Sequence, residues 1–448
     1  MIELSLIKDI IKLRKRANYT RQQILQIQEE SFRELITHAW NYSKFYKELY
    51  SSHGIKKQDL KEVAITDLPL ISKELLMDNF DDVVTDTRLK KSELEKWIET
   101  HNDPTERYLN EFVILHTSGT SGAIGIFVYD TLAWSILKAS IVTRISSPSY
   151  NPLKKTRVAY FAATNGRFAG VTLASSAPPL FYKFLPLSIL DPLTVSCKLL
   201  NDFQPQQLSG YASTVASLAN CQQKGSLKIS PQRIMVSGDV LTDNLRDQIS
   251  RSWNAPIINL YAASESIGIT AQLPNHKDMT VFDDLHNVEV LDDQNNTVSA
   301  GNSGRIILTN LYNKTLPIIR YEMRDVATRA TTLSSNEQFS TLKSIHGRQN
   351  DNLPITLNNN ELDNIHPIIL SEFFVPGLEK IQFISKDNTS ILIYYQAKKN
   401  LDKLILQNFQ DILKQKRASN SMEVQVEKVE LIPNEAKTGK LKLVKLSI

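Results

Sequence analysis

The 448-residue chain has only two cysteines, Cys197 and Cys221. Two thiols without CxxC spacing cannot build a zinc or iron–sulfur site unaided. They make no disulfide framework either, so they are expected as small apolar side chains or free thiols in a reducing compartment. No run approaches the roughly 18 apolar residues of a membrane span. The N-terminus carries Glu3 and Asp9 inside its apolar stretch and does not read as a signal peptide. These absences predict a soluble, cytoplasmic protein. Charge of one sign is also missing: 52 Lys and Arg face 48 Asp and Glu, a net +4. A nucleic-acid partner, which would call for a concentrated basic stripe, is therefore not expected. The small positive excess still helps to draw in an anionic substrate. Internal repeats and low-complexity linkers are absent too.

What is there is ordinary globular composition, 42% hydrophobic and 22% charged, on a chain long enough for more than one domain. Residues 1–60 have helical spacing and read as an outer helical layer. Within them, residues 7–15 are basic and amphipathic, which also suits a membrane surface or a partner. From about residue 110 short β-rich runs appear, at 112–115, 157–161, 233–236 and 256–260, with helix-like segments between some of them. That alternation predicts an α/β fold, a large N-terminal domain with mixed, largely parallel sheets and helices. A second change falls near 346. Strand-like residues 381–385 and 391–396, helical residues 401–416 and alternating residues 423–431 predict a small, mobile α+β C-terminal domain. The expected division is 1–346 and 347–448.

Three predicted strands end in small or polar clusters: Thr117 to Gly122, Ser237 to Asp239, and Ala262 to Glu265. In open α/β sheets ligands sit at the carboxyl ends of strands, so the three clusters point to one shared site. In the first, Thr117, Ser118, Gly119, Thr120, Ser121 and Gly122 interleave hydroxyls with glycine. Backbone N–H groups and hydroxyls can then crowd around an anion such as a polyphosphate. Taken alone, a flexible surface turn fits this segment equally well. It is not a Walker loop, because no Gly-Lys-Ser/Thr follows, and it is not a nucleophile elbow. Ser135 and Lys138 match a β-lactamase spacing but lack its partner motifs.

The Thr117–Gly122 segment resembles the phosphate loop of the superfamily of acyl-CoA synthetases, peptide-synthetase adenylation domains and luciferases. Four more segments resemble that superfamily's motifs, in its order. Asn259-Leu-Tyr-Ala-Ala-Ser-Glu-Ser266 is similar to its strand-end Tyr-Gly-x-Thr/Ser-Glu, and Arg320-Tyr-Glu-Met-Arg-Asp325 to its Arg-Tyr-x-x-Gly-Asp. Gly347-Arg-Gln-Asn-Asp351 resembles the domain hinge, and Ala436-Lys-Thr-Gly-Lys-Leu441 the loop of the catalytic lysine. Any one match is weak, but five in order span most of the chain. Within the superfamily the chain looks most like phenylacetate–CoA ligase and the capsule-biosynthesis adenylating proteins. The clues are the segment His38-Ala-Trp-Asn-Tyr-Ser-Lys-Phe-Tyr-Lys47, the Ser-Glu ending of the tyrosine motif, and the short length.

The resemblance implies ATP-dependent activation of a carboxylic acid to an acyl-adenylate, with release of pyrophosphate. It assigns Glu265 to a Mg²⁺ ion, Tyr261 to the side of the adenine, and Gly238 and Asp239 to the adenine pocket. Ala262 and Ser264 belong to the same nucleotide-binding strand end. Asp325 would accept the ribose hydroxyls, and Arg348 would support the ribose or phosphate side. Asp351 would be the hinge about which the small domain rotates, bringing Lys440 to the acyl carboxylate and the α-phosphate. Read alone, Glu265 could be a helix cap, Asp325 an ion-pair partner of Arg320 or Arg324, and Lys440 surface charge beside Lys437, Lys442 and Lys445.

The chain departs from the pattern at four places. Ala123 and Ile124 stand where many relatives have Lys-Pro, Ala262 where a glycine is usual, and Arg324 where the ribose motif has glycine. Residues 353–367 lack the Gly-containing loop that lines the pantetheine path in CoA users, so CoA, a carrier-protein phosphopantetheine and an amine are all open as acceptors. By position, residues 160–168 and 210–213 would line the acyl pocket. Their aromatic and small side chains suit a flat aryl acid, with plain core packing as the alternative. Two other readings of the whole are a non-catalytic nucleotide-binding relative and an oxygenase of the luciferase kind.

Overall fold

The computed structural model describes residues 4–117, 125–146, 155–164, 166–179, 181–274, 276–331, 338–346, 352–365, 369–370, 373, 375–433 and 442–446. Its centre is an eleven-stranded mixed sheet. Five neighbouring strands run parallel, in the spatial order Tyr182–Ser188, Thr156–Ala162, Gln207–Gly210, Arg233–Ser237 and Ile257–Tyr261. The rest of the sheet continues antiparallel through strands drawn from residues 270–346. A separate antiparallel hairpin, Val113–His116 with Ile126–Tyr129, frames the Thr117 loop.

The parallel strands alternate as strands with one helix-covered face must. Leu208, Ile234 and Val236 are fully buried and join one apolar core with helix Ala212–Gln223. Their alternating neighbours Gln207, Ser209, Met235 and Ser237 line a cavity on the other face. Helix Asp243–Ser252 is held at its start by the Thr242 cap on Leu245 N, which closes one open end of its backbone.

The predicted strands at 112–115, 157–161, 233–236 and 256–260 are all present within a residue or two. The helical start is present as Leu4–Arg16, Arg21–Tyr42 and Lys44–Ser52, with a Thr20–Gln23 capping box opening the second. Ion pairs tie this layer to the sheet domain. Asp284 accepts from both Arg16 and Arg144, and Arg21 pairs with Asp283. Ser135 donates to Asp9 at 2.6 Å, so the β-lactamase-like spacing belongs to the packing of the first helix. The C-terminal part is an α+β unit. Its four-stranded sheet runs Glu423–Lys428, Ser390–Ala397, Leu378–Ser385, Val444–Leu446, with helix Asp402–Gln415 beside it. No described helix is long and apolar enough to cross a membrane.

Candidate active site

Thr117 leaves the first hairpin and forms the neck of its loop. Its N–H donates to Gly125 O at 2.8 Å, and its Oγ1 accepts from Gly125 N at 3.0 Å. A Cβ on Gly125 would come within 2.8 Å of Thr117 Oγ1 and 2.9 Å of Lys73 Cε, so the neck needs glycine there. Ser118, Gly119, Thr120, Ser121 and Gly122, with Ala123 and Ile124, lie outside the described residues.

Lys73 was not anticipated from the sequence. It begins the helix Lys73–Asp78, is buried, and donates its ammonium to Thr117 Oγ1 at 3.0 Å. Its charge also acts on Glu265. Lys73 thus brings a cation to this neck from 44 residues upstream. Replacing Lys73 with Met is expected to raise the KM for ATP about tenfold or more, as loss of one charged hydrogen-bond donor does. An unchanged KM would mean that Lys73 only braces the neck.

Strand Ile257–Tyr261 delivers the second cluster. Tyr261 donates its hydroxyl to Asp325 Oδ2 at 2.8 Å, joining the expected adenine-side and ribose residues across 64 positions of sequence. Burial, and then the Asp325 charge, push the Tyr261 phenol well up, so it stays a donor. Asp325 is not the partner of Arg320. That guanidinium forms a two-pronged pair with Glu289, at 3.0 and 2.9 Å. The side chain of Arg324 is outside the described residues.

Glu265 accepts from the Tyr321 hydroxyl at 3.1 Å. Burial raises its carboxyl above the usual range, the Asp325 charge adds to this, and Lys73 and Tyr321 oppose it. Its backbone is held from below by a buried network. Asn310 Nδ2 donates to Glu265 O at 3.3 Å and to Ser266 Oγ at 3.2 Å, and Ser266 Oγ contacts His286 Nε2 at 2.7 Å. His286 Nδ1 can only donate to Phe282 O, so Nε2 is the acceptor and Ser266 donates to it. Burial depresses His286 to about 4. A depressed histidine contributes stability above its unfolded value near 6.5 that is lost as pH falls toward 4. Unfolding free energy is therefore expected to drop by about 2 kcal/mol more between pH 7 and 5 in the wild type than in His286→Gln. Equal pH slopes for the two proteins would contradict the assignment.

Gly238 has a left-handed φ of +85° and turns the chain at the end of strand Arg233–Ser237, a conformation glycine adopts without strain. Gly238, Ala262 and Ser264 line the cavity. The Asp239 carboxylate caps helix Ala212–Gln223, accepting from Ala212 N, Ser213 N and Ser213 Oγ. Its charge sits at the helix N-terminus, where the macrodipole favours it. Arg348, Asp351 and Lys440 fall outside the described residues.

The cavity holds about 310 Å³ and is mostly apolar-walled. Of the residues expected to line an acyl pocket, Tyr160, Phe168 and Tyr211 do so. Arg167 points elsewhere, donating to His101 O and Glu106 O at 2.8 Å and covering the Trp97 ring. Helix Ala169–Ser175 and strand Tyr182–Ser188 complete the wall, neither of them foreseen from the sequence. Among the described residues no three metal-ligating side chains cluster, so an all-protein cation cage is absent there. Magnesium, however, binds through one or two carboxylates plus phosphate oxygens. Glu265, on which the charge of Lys73 at the Thr117 neck acts, fits that mode.

In fold and in the order of its motifs the chain is similar to proteins of the acyl-adenylate-forming superfamily. No protein-family model matches it. It is 23% identical over 405 residues to Protein CapK of Staphylococcus aureus, across 85% of this chain and 80% of CapK. It is 24% identical over 311 residues to phenylacetate-coenzyme A ligase of Escherichia coli (strain K12), across 67% of this chain and 66% of that one. Among solved structures, 2-hydroxyisobutyryl-CoA ligase with 2-HIB-AMP and CoA, in the thioesterification state, aligns with a TM-score of 0.63. That match has 16% identity over 96% of this chain and 90% of the ligase, and establishes the shared fold.

Proposed function

We propose that the chain is an AMP-forming carboxylic acid ligase. A carboxylate oxygen attacks the α-phosphorus of ATP, the bond to the β-phosphate oxygen breaks, and pyrophosphate leaves with that electron pair. The product is an acyl-adenylate, and no proton transfer is needed. The supporting observation is convergence. Thr117, which takes the Lys73 ammonium, lines the apolar cavity together with Leu260, Ala262 and Ser264, the chain neighbours of Tyr261 and Glu265, and Tyr261 and Glu265 are in turn tied to Asp325 and Tyr321.

Two anions must be brought together in such a step. At 4 Å they repel by about 4 kcal/mol at an effective dielectric of 20. Lys73 beside the loop and Lys440 on the small domain oppose that repulsion. Tyr261 and Asp325 fix the nucleoside, and the cavity takes the acid, a flat aryl acid by its aromatic lining. Glu265 would hold magnesium, which when bound neutralises charge on the phosphate oxygens. Residues 347–448 turn about Asp351 to bring Lys440 in for adenylation and to withdraw it for acyl transfer.

The acceptor in this reading is a thiol, of CoA or of carrier-protein phosphopantetheine, with an amine as the other candidate. Residues 353–365, where CoA users have a glycine loop, form a tight hairpin, Leu353–Thr356 paired with Leu362–Ile365. The setting is the cytoplasm, which supplies ATP and reduced thiols. Pyrophosphate–ATP exchange across a panel of aryl and fatty acids tests the proposal. Exchange stimulated by one class of acid is the expected result. ATP binding without exchange, for any acid in the panel, would point to a relative that kept the fold and lost the reaction.

A further inference from the structure

The first helix, Leu4–Arg16, has two faces. At about 100° per residue, Leu6, Ile10 and Leu13 share one side with Asp9 and Arg16. That side holds the helix to the fold. Leu6 and Leu13 are buried in a small core with Ala139 and Leu285, and Ile10 packs against it. Asp9, the one acidic residue of the helix, accepts from Ser135, and Arg16 pairs with Asp284.

The other side faces outward. Leu4, Ile7 and Ile11 fall within about 60° of arc, and they are 79%, 42% and 63% exposed. Lys15, Lys8 and Lys12 occupy about the next 80°, and all three are exposed. The outward face thus carries three ammonium groups and, with Asp9 turned inward, no carboxylate of its own helix. Leu132 adds to the apolar stripe. Asp9 meets Ser135, and Arg16 shares Asp284 with Arg144, so helix Thr131–Ser140 runs alongside in the same direction. That brings Leu132, 67% exposed, to the Leu4 end. Scattered exposed leucines are ordinary, but an apolar stripe rimmed by charge marks a surface that something covers.

The mixture of side chains defines the cover. A second copy of the chain would set its own lysines against these, and like charges opposed across an interface repel. A few aliphatic side chains also fall far short of the roughly 800 Å² per partner that a standard interface buries. An acidic polymer would satisfy the ammonium groups and leave the isoleucines in water. A lipid surface with anionic headgroups satisfies both. Lysine stems lie along the apolar boundary with their charges at the headgroups, and the aliphatic side chains enter the acyl boundary.

We propose that helix Leu4–Arg16 docks the protein on an anionic membrane surface through Leu4, Ile7 and Ile11, with Lys8, Lys12 and Lys15 on the headgroups. The helix lies in the plane of the interface and keeps its inner face on the fold. The footprint is small, so the binding is reversible and set by the charge of the lipid. It is independent of the adenylation reading.

The test is co-sedimentation of the full chain with vesicles of phosphatidylcholine alone and of phosphatidylcholine mixed with phosphatidylglycerol. The wild type is expected to sediment with the mixed vesicles and not with the neutral ones, and raised salt should release it. A lysine near an anionic surface contributes about a fivefold gain in partitioning, so Lys8→Gln/Lys12→Gln/Lys15→Gln should lose about a hundredfold. Ile7→Ser/Ile11→Ser, its charge unchanged, should lose about tenfold or more. Both variants alter exposed side chains, so their melting temperatures should stay close to that of the wild type. No sedimentation of the wild type with mixed vesicles overturns the proposal. So does a loss confined to the lysine variant, which would mean a polyanion read by charge alone. A concentration-dependent dimer that Ile7→Ser/Ile11→Ser dissolves overturns it too, because a second copy would then cover the stripe. Should either variant fail to fold, Ile11→Trp reads the same contact. Its added emission should shift to the blue on the mixed vesicles, and an unshifted emission overturns the docking face.

Discussion

Glu265→Gln is expected to lower acid-dependent pyrophosphate–ATP exchange by about 10²–10³-fold, the usual scale for one lost charge-stabilising group, while the fold stays as stable or becomes more so. The two halves of the expectation have different origins. Glutamine keeps the shape and an acceptor oxygen for the Tyr321 hydroxyl, which now donates at 3.1 Å. What goes is the negative charge needed to hold a hard cation against phosphate oxygens. Stability follows from the raised carboxyl. Burial favours its neutral form, so its favourable contribution is present at low pH and is lost as pH rises past the unfolded value. At pH 7 the buried charge is a cost, and the neutral amide removes it. Exchange kinetics over a magnesium titration, with melting curves beside them, check both halves. Unchanged exchange would remove Glu265 from the site. Lost activity with a large drop in melting temperature would make it a structural residue.

Lys440→Ala is expected to have the second large effect, again about 10²–10³-fold in adenylation, with ATP binding little changed. The asymmetry is the point. A lysine on a separate small domain that meets the reacting groups only when they come together lowers the barrier more than it holds the ground state. The surrounding sequence supplies the control. Lys437 lies in the same segment and has no assigned role, so Lys437→Ala should fall within the small range of surface substitutions. Single-turnover measurement of acyl-adenylate formation, with ATP affinity measured separately, separates the effects. An unchanged adenylation rate in Lys440→Ala would sink the assignment, and equal losses in both variants would reduce it to general surface charge.

Much of the proposed nucleotide end is legible in the amino-acid order because its parts are local. Strand ends at Ser237 and Tyr261 announce themselves as apolar runs that stop in small or polar residues, and the structure places both at carboxyl ends of parallel strands. Tyr261 and Asp325 were assigned to neighbouring parts of one nucleotide and are joined by a hydrogen bond. Asp239 was read by the same logic, and its carboxylate also accepts from a helix start, which the sequence did not announce. The reason is that Asp239 and the N–H groups of Ala212 and Ser213 belong to neighbouring strand-end turns, which only the sheet brings together.

The proposed acid end was scarcely legible. Gln207 and Ser209 look like any alternating strand residues. Which face of the strand meets helices and which meets a cavity depends on packing, not on local propensity. Lys73 carried no motif at all.

The sequence by itself thus determined the α/β class, the order of the adenylation motifs and the chemical kind of each strand-end cluster, because turn chemistry and strand periodicity are written in consecutive residues. Tertiary structure alone decided that Lys73 reaches Thr117 across 44 positions and Tyr321 reaches Glu265 across 56. It alone decided that one face of the parallel strands is walled into a cavity where Gln207 donates to Ser209. Such contacts arise from sheet register and helix placement, which fix side chains in space regardless of their separation along the chain.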